Sequence, residues 1–74
     1  MSYPVINACE TGKNIKKKMA EKNISPNEVM AFLGIAEKSS LYKWFRGERI
    51  PSLDNMLALS VLLGVSVNEL IATD

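Results

Sequence analysis

The stretch SPNEVMAFLGIAEKSSLYKWFRG, residues 25–47, decides the fold. It opens on Ser25-Pro26-Asn27-Glu28, where a serine N-cap, a proline at the first helical position and a glutamate at the third mark a helix start. Val29, Met30 and Leu33 then turn one apolar face inward, and Gly34 stops the run. A helix of about eight or nine residues is too short to persist alone in water, so packing must hold it. After Gly34-Ile35-Ala36 a second run, about Lys38 to Arg46, puts Leu41, Trp44 and Phe45 at i, i+3 and i+4 as a buried stripe. Lys38, Ser39, Tyr42, Lys43 and Arg46 are left on or near the opposite side, and Gly47 ends the run.

Three further helices flank this pair. Upstream, Gly12 to Lys22 carries Ile15 and Met19 on one face, with Thr11 as its N-cap and Asn23 as its stop. Downstream, Pro51 closes a connection and Ser52 caps a helix from about Leu53 to Leu63, with Asp54 suited to its N-terminal dipole and Gly64 ending it. Ser66-Val67-Asn68-Glu69 is a second capping box and opens a short last helix through about Ala72. Tyr3-Pro4-Val5-Ile6 lacks helical periodicity. The expectation is all-α: a compact five-helix domain over residues 12–74 behind an extended arm over residues 1–11.

The 74 residues suffice for one domain with a small core. The apolar run from Met56 to Val67 is interrupted by Ser60, Gly64 and Ser66, and it is shorter than the ~20 residues of a membrane span. The start of the chain has no basic-then-apolar signal pattern, so a cytoplasmic location is expected. Cys9 is the only cysteine and there is no histidine, which excludes an internal disulfide and a structural zinc site. Without histidine, a nucleophile–base pair or clustered acids, the sequence does not read as an enzyme, and nothing in it calls for a cofactor or a small-molecule ligand. Charge is divided along the chain. Nine Lys/Arg against five Glu give +4 up to Leu53, and three acids with no base give −3 from Asp54 onward. Polyanion contact is therefore expected in the first fifty or so residues.

Two short helices joined by a tight glycine-containing turn, the second with a polar face, have the form of a helix-turn-helix. An α-helix fits the major groove of DNA, where each base pair shows a distinct set of donors and acceptors. The order and spacing of Ile15, Ser25-Pro26-Asn27-Glu28-Val29, Leu33-Gly34-Ile35, Leu41-Tyr42-Lys43-Trp44, Arg46-Gly47-Glu48-Arg49, Pro51-Ser52 and Leu63-Gly64-Val65-Ser66-Val67-Asn68-Glu69-Leu70 resemble the Cro/phage-repressor (XRE-like) helix-turn-helix family. The resemblance covers about Thr11 to Ile71. It implies a five-helix domain whose third helix enters the major groove and which binds double-stranded DNA as a dimer, at a near-palindromic operator.

Four positions depart from the family pattern. The stretch from Gly34 to Leu41 is one residue longer than the commonest form, so the entry to the third helix should differ. Pro26 stands where a DNA-touching glutamine is frequent, so either Asn27 takes over or that contact is lost. Met30 replaces an alanine that allows close helix packing. Met19 and Phe45 occupy positions that often hold an arginine–glutamate pair. Losing one partner of a buried ion pair strands a charge, whereas replacing both by apolar groups can be neutral or stabilising.

Lys38, Ser39 and Tyr42 are the candidates for base edges, lysine donating to guanine and serine being permissive. Tyr42 could equally meet a phosphate or pack on the first helix. Asn27, Lys43, Arg46 and Arg49 are the candidates for the DNA backbone, which supplies affinity but little sequence choice. Arg46 could instead be a plain C-terminal helix charge, and Glu37 suits a helix start while repelling phosphate. Trp44 reads as core, since single-strand binders need several exposed aromatics in a basic groove. The helix from Leu53 to Leu63 is apolar on every side, so a homodimer burying Val61 and Leu62 is expected. These expectations describe a small transcriptional regulator acting as a repressor. The rival is a protein-interaction adaptor, antitoxin-like or anti-repressor-like, on the same scaffold.

Overall fold

Asn7 opens the first helix four residues earlier than expected. Its side chain accepts from the Glu10 amide, and the helix runs Ala8–Lys22 as α1. A computed structural model describes residues 3–74 of the chain. Behind α1 follow α2 (Pro26–Leu33), α3 (Lys38–Phe45), α4 (Leu53–Leu63) and α5 (Val67–Leu70). Among the described residues none of these helices is long and apolar enough to cross a membrane.

Thr11, expected as the cap, lies inside α1 and is buried, with its hydroxyl accepting from the Ala72 amide at 3.0 Å. The expected extended arm is correspondingly shorter, and Met1 and Ser2 of it lie outside the described residues. What remains is paired with the far end of the chain. Ile6 forms an antiparallel bridge with Thr73, the Asn7 amide donates to Ala72 O at 2.8 Å and the Asp74 amide to Val5 O at 3.0 Å. The same pairing stops α5 at Leu70 instead of near Ala72, because Ile71 must turn extended to reach residues 5–7. Alternation and capping patterns are local signals; this contact joins residues that only tertiary folding brings together.

The other helix limits follow the local chemistry. Ser25 and Glu28 form the full capping box on α2, and Ser66 and Glu69 form another on α5. The Glu69 carboxyl is held below its ordinary pKa chiefly by the hydrogen bond from the Ser66 amide. Ser52 caps α4 by accepting from Asn55 N. At the lengthened entry to α3, Glu37 occupies the N-cap position without any side-chain capping bond, and only its carbonyl serves the turn, accepting from the Ser40 amide at 3.2 Å.

The core is Ile15 and Met19 of α1, Val29 of α2, Leu41 and Trp44 of α3, Met56, Leu59 and Leu63 of α4, and Leu70 of α5. Trp44 is buried, as its spacing requires, whereas Phe45 and Met30 only pack half-buried against the cluster. Two glycines permit the close fit of α1 on α3. A Cβ on Gly12 would stand 2.1 Å from the Trp44 carbonyl oxygen, so the two backbones meet with no side chain between them. Gly47, at φ +75°, leaves α3 in the left-handed region and passes so near Cys9 that a Cβ there would lie 2.7 Å from the Cys9 Cα. These two contacts fix where α3 points.

Candidate nucleic-acid interface

With 3.6 residues per turn, Lys38, Tyr42, Arg46, Ser39 and Lys43 fall within an arc of about 140° around α3. Leu41 and Trp44 lie opposite, buried in the core. One helix therefore has an inner stripe facing α1 and α2 and an outer face of three cations, a serine and a phenol. Lys38, Ser39, Tyr42 and Arg46 are exposed, and Lys43 is half-buried. Arg49 in the following connection and Asn27 in the first turn of α2 are exposed as well.

Lys43 and Arg49 line one concavity of about 420 Å³ between α3 and the start of α4, together with Ser40, Ser52, Asn55 and the apolar Ile35, Trp44 and Ile50. Ser40, Ser52 and Asn55 were not among the sequence candidates. Ser52 was legible only as a cap, and nothing in the spacing brings Asn55 of α4 beside Lys43 of α3. The concavity holds two cations and neutral donors over an apolar floor, a combination suited to an anionic oxygen.

Arg46 is not free. Its Nε donates to the Glu48 carboxylate, and that hydrogen bond is the main cause of the Glu48 pKa lying below its ordinary value. Tyr42 and Phe45 pack edge-on, and Nζ of Lys16 in α1 lies over the Phe45 ring, 5.7 Å from its centroid. Tyr42 therefore packs on Phe45 of its own helix, not on the first helix as one expectation had it, and it remains exposed.

The two expected dimer residues separate. Val61 is 66% exposed, whereas Leu62 is half-buried and packs on the core. Exposure recurs on α4 at Leu57 and Leu53, each four residues earlier. The helix that is apolar all round is covered on one side only by its own chain.

A helix-turn-helix family model matches residues 15–70. Among solved structures, the restriction-modification controller protein C.AhdI from Aeromonas hydrophila is similar at TM-score 0.75 and 25% identity, over 85% of this chain and 94% of that one. The BldD DNA-binding domain of S. venezulae is similar at TM-score 0.72 over 89% of this chain and 97% of that one; at 19% identity it speaks to the fold alone. None of the curated proteins compared matches the chain. The model match spans the capped second helix, the turn, the basic third helix and the core that holds them, and the chain belongs to the XRE-like helix-turn-helix family of DNA-binding regulators, which are not enzymes.

Proposed function

We propose that the protein is a small transcriptional repressor that binds a near-palindromic duplex site as a homodimer, with α3 of each copy in the major groove. The observation that carries this reading is the outer face of α3, where Lys38, Ser39, Tyr42, Lys43 and Arg46 share one arc opposite the buried Leu41 and Trp44. Lys38, Ser39 and Tyr42 meet base edges. Lys43, Arg46, Arg49 and Asn27 meet phosphates, and the concavity shared by Lys43 and Arg49 supports that division. The likeness to a restriction-modification controller protein supports a regulatory role.

The homodimer covers the exposed stripe of α4. Leu53, Leu57 and Val61 form its centre, and Leu62 contributes from the margin. The two α3 helices then lie about 34 Å apart, one helical turn of DNA. With DNA as its partner, the protein acts in the cytoplasm.

Selection of bound fragments from random duplex DNA, followed by titration over a range of salt, tests the proposal. A near-palindromic consensus is expected, with affinity falling steeply as salt rises. Lys38→Ala should relax preference at one base position at a cost of about 1–3 kcal/mol. Arg49→Ala should weaken all sequences alike and lower the salt slope by about one. Absence of duplex binding at about 50 mM salt, where phosphate attraction is strong, overturns the proposal in favour of a protein-interaction adaptor.

A further inference from the structure

The last turn of α3 carries an arrangement that the candidate contacts leave unused. Phe45 is half-buried where α1 crosses α3, and Nζ of Lys16 lies 5.7 Å from the centre of its ring. Tyr42 packs on the same ring edge-on, with centroids 5.4 Å apart and planes at 89°. One aromatic side chain thus touches a cation of the first helix and a phenol of the third. Lys16 is exposed and forms no ion pair among the described residues, whereas Lys13 and Lys18 on the same helix are tied to Glu10 and Glu21. A carboxylate at position 45 would pair with the ammonium and cancel its charge. An aromatic face attracts the cation without neutralising it, and the ammonium donors stay available.

We infer that Lys16 is a DNA-backbone contact supplied by α1, and that Phe45 is the positioning residue that keeps Lys16 and Tyr42 on one edge of the DNA-facing surface. This rests on the proposed seating of α3 in the major groove, and it adds a helix that the earlier assignment leaves out. A helix in that groove has a phosphate strand on either flank. By helical phase Lys43 closes one side of the outer arc, where the concavity with Arg49 lies. Phe45 borders the arc on the other side, next to Lys38 and Tyr42. Lys43 and Arg49 serve the first flank; Lys16 stands beside the second. α1 then does more than brace α3 through Gly12, because its exposed middle turn takes part in the contact.

The test is the salt dependence of affinity for a labelled duplex that the wild type selects. Lys16→Gln should lower the slope by about one unit while leaving the rank order of sequences as it was. Lys22→Gln removes the same charge from the far end of α1, where the ammonium lies beside Gly64, and should keep the wild-type slope. Phe45→Leu retains apolar bulk without the ring. It should lose the same unit of slope, and adding Lys16→Gln to it should take away nothing more, the signature of coupled positions. A purely structural role for the Lys16–Phe45 contact would change thermal stability and leave the slope untouched. A wild-type slope in Lys16→Gln overturns the inference while duplex binding itself stands. If Phe45→Leu fails to fold, the contrast between Lys16→Gln and Lys22→Gln still decides. Failure of the wild type to bind any duplex removes the proposed function and this contact together.

Discussion

Glu48 is a built-in competitor for the cation that the phosphate backbone would use. It holds the Arg46 guanidinium at the exit of α3, and a DNA phosphate must displace it. Glu48→Gln should therefore raise affinity for all duplexes alike and steepen the salt slope, measured by anisotropy. The pH dependence has a defined sign. The Glu48 pKa is lowered in the folded protein, so the stabilisation from this pair is present above the ordinary carboxylate range and is lost as pH falls through the lowered value. Both partners are exposed, so the contribution to folding is small and the effect on binding is the one to measure. At Gly12 the balance is reversed, since a substitution there acts on the scaffold first. A methyl 2.1 Å from the Trp44 carbonyl forces α1 and α3 apart, so Gly12→Ala should destabilise at or above the upper end of the roughly 1–3 kcal/mol of an overpacked core. Urea denaturation reads this directly, and weaker DNA binding should accompany it because α3 is displaced.

Within single elements, short-range chemistry was the part that could be read in advance. The boxes at Ser25–Glu28 and Ser66–Glu69 and the Ser52 cap all stand where serine and glutamate spacing put them. α1 was misread because Ala8-Cys9-Glu10-Thr11 carries no apolar period, and Thr11 has the same short oxygen-bearing side chain as a cap. Burial separates the two residues. Asn7 caps from an extended backbone, whereas the Thr11 hydroxyl serves an amide at the opposite end of the chain. Asn7→Ala should cost about 0.5–2 kcal/mol, the range for a lost N-cap. Thr11→Val keeps the shape but strands the Ala72 amide, so a loss of about 1–3 kcal/mol is expected. Equal, negligible losses in thermal melts would show that neither group holds the helix. The outer face of α3 was legible for the same local reason, because helical period alone separates Lys38 and Ser39 from Leu41 and Trp44. The grouping of Asn55 with Lys43, the Arg46–Glu48 pair and the Lys16–Phe45 contact depend on how elements meet or how a connection curls back, and periodicity carries no such signal.

For the molecule as a whole, charge and apolarity are segregated along the chain. The surplus of bases ends near Leu53, and the exposed apolar stripe of α4 begins there. A dimer built on that stripe brings together the segments that carry the acidic remainder while leaving the basic helices to the DNA. Val61→Asp places a charge in the proposed seam at a site that is 66% exposed in the single chain. Stability of the monomer should change by no more than about 0.5 kcal/mol, as for an ordinary surface site. Sedimentation should nevertheless show dissociation, and binding to the two-half-site duplex should fall far more than binding to one half-site. An unchanged sedimentation profile would move the seam elsewhere.

The bridge between Ile6 and Thr73 joins two ends of the sequence and so makes almost the entire chain a single closed ring. Closing a ring that large carries the greatest loop entropy of any contact in the domain, which places it late in folding. It is an isolated bridge between short terminal segments whose side chains are largely exposed, so it should also be the earliest seam to open in the native state. Amide hydrogen exchange would show this as fast exchange at Asn7 and Asp74 against slow exchange at Leu41 and Leu59, with the ring opening and reclosing many times during the lifetime of the core.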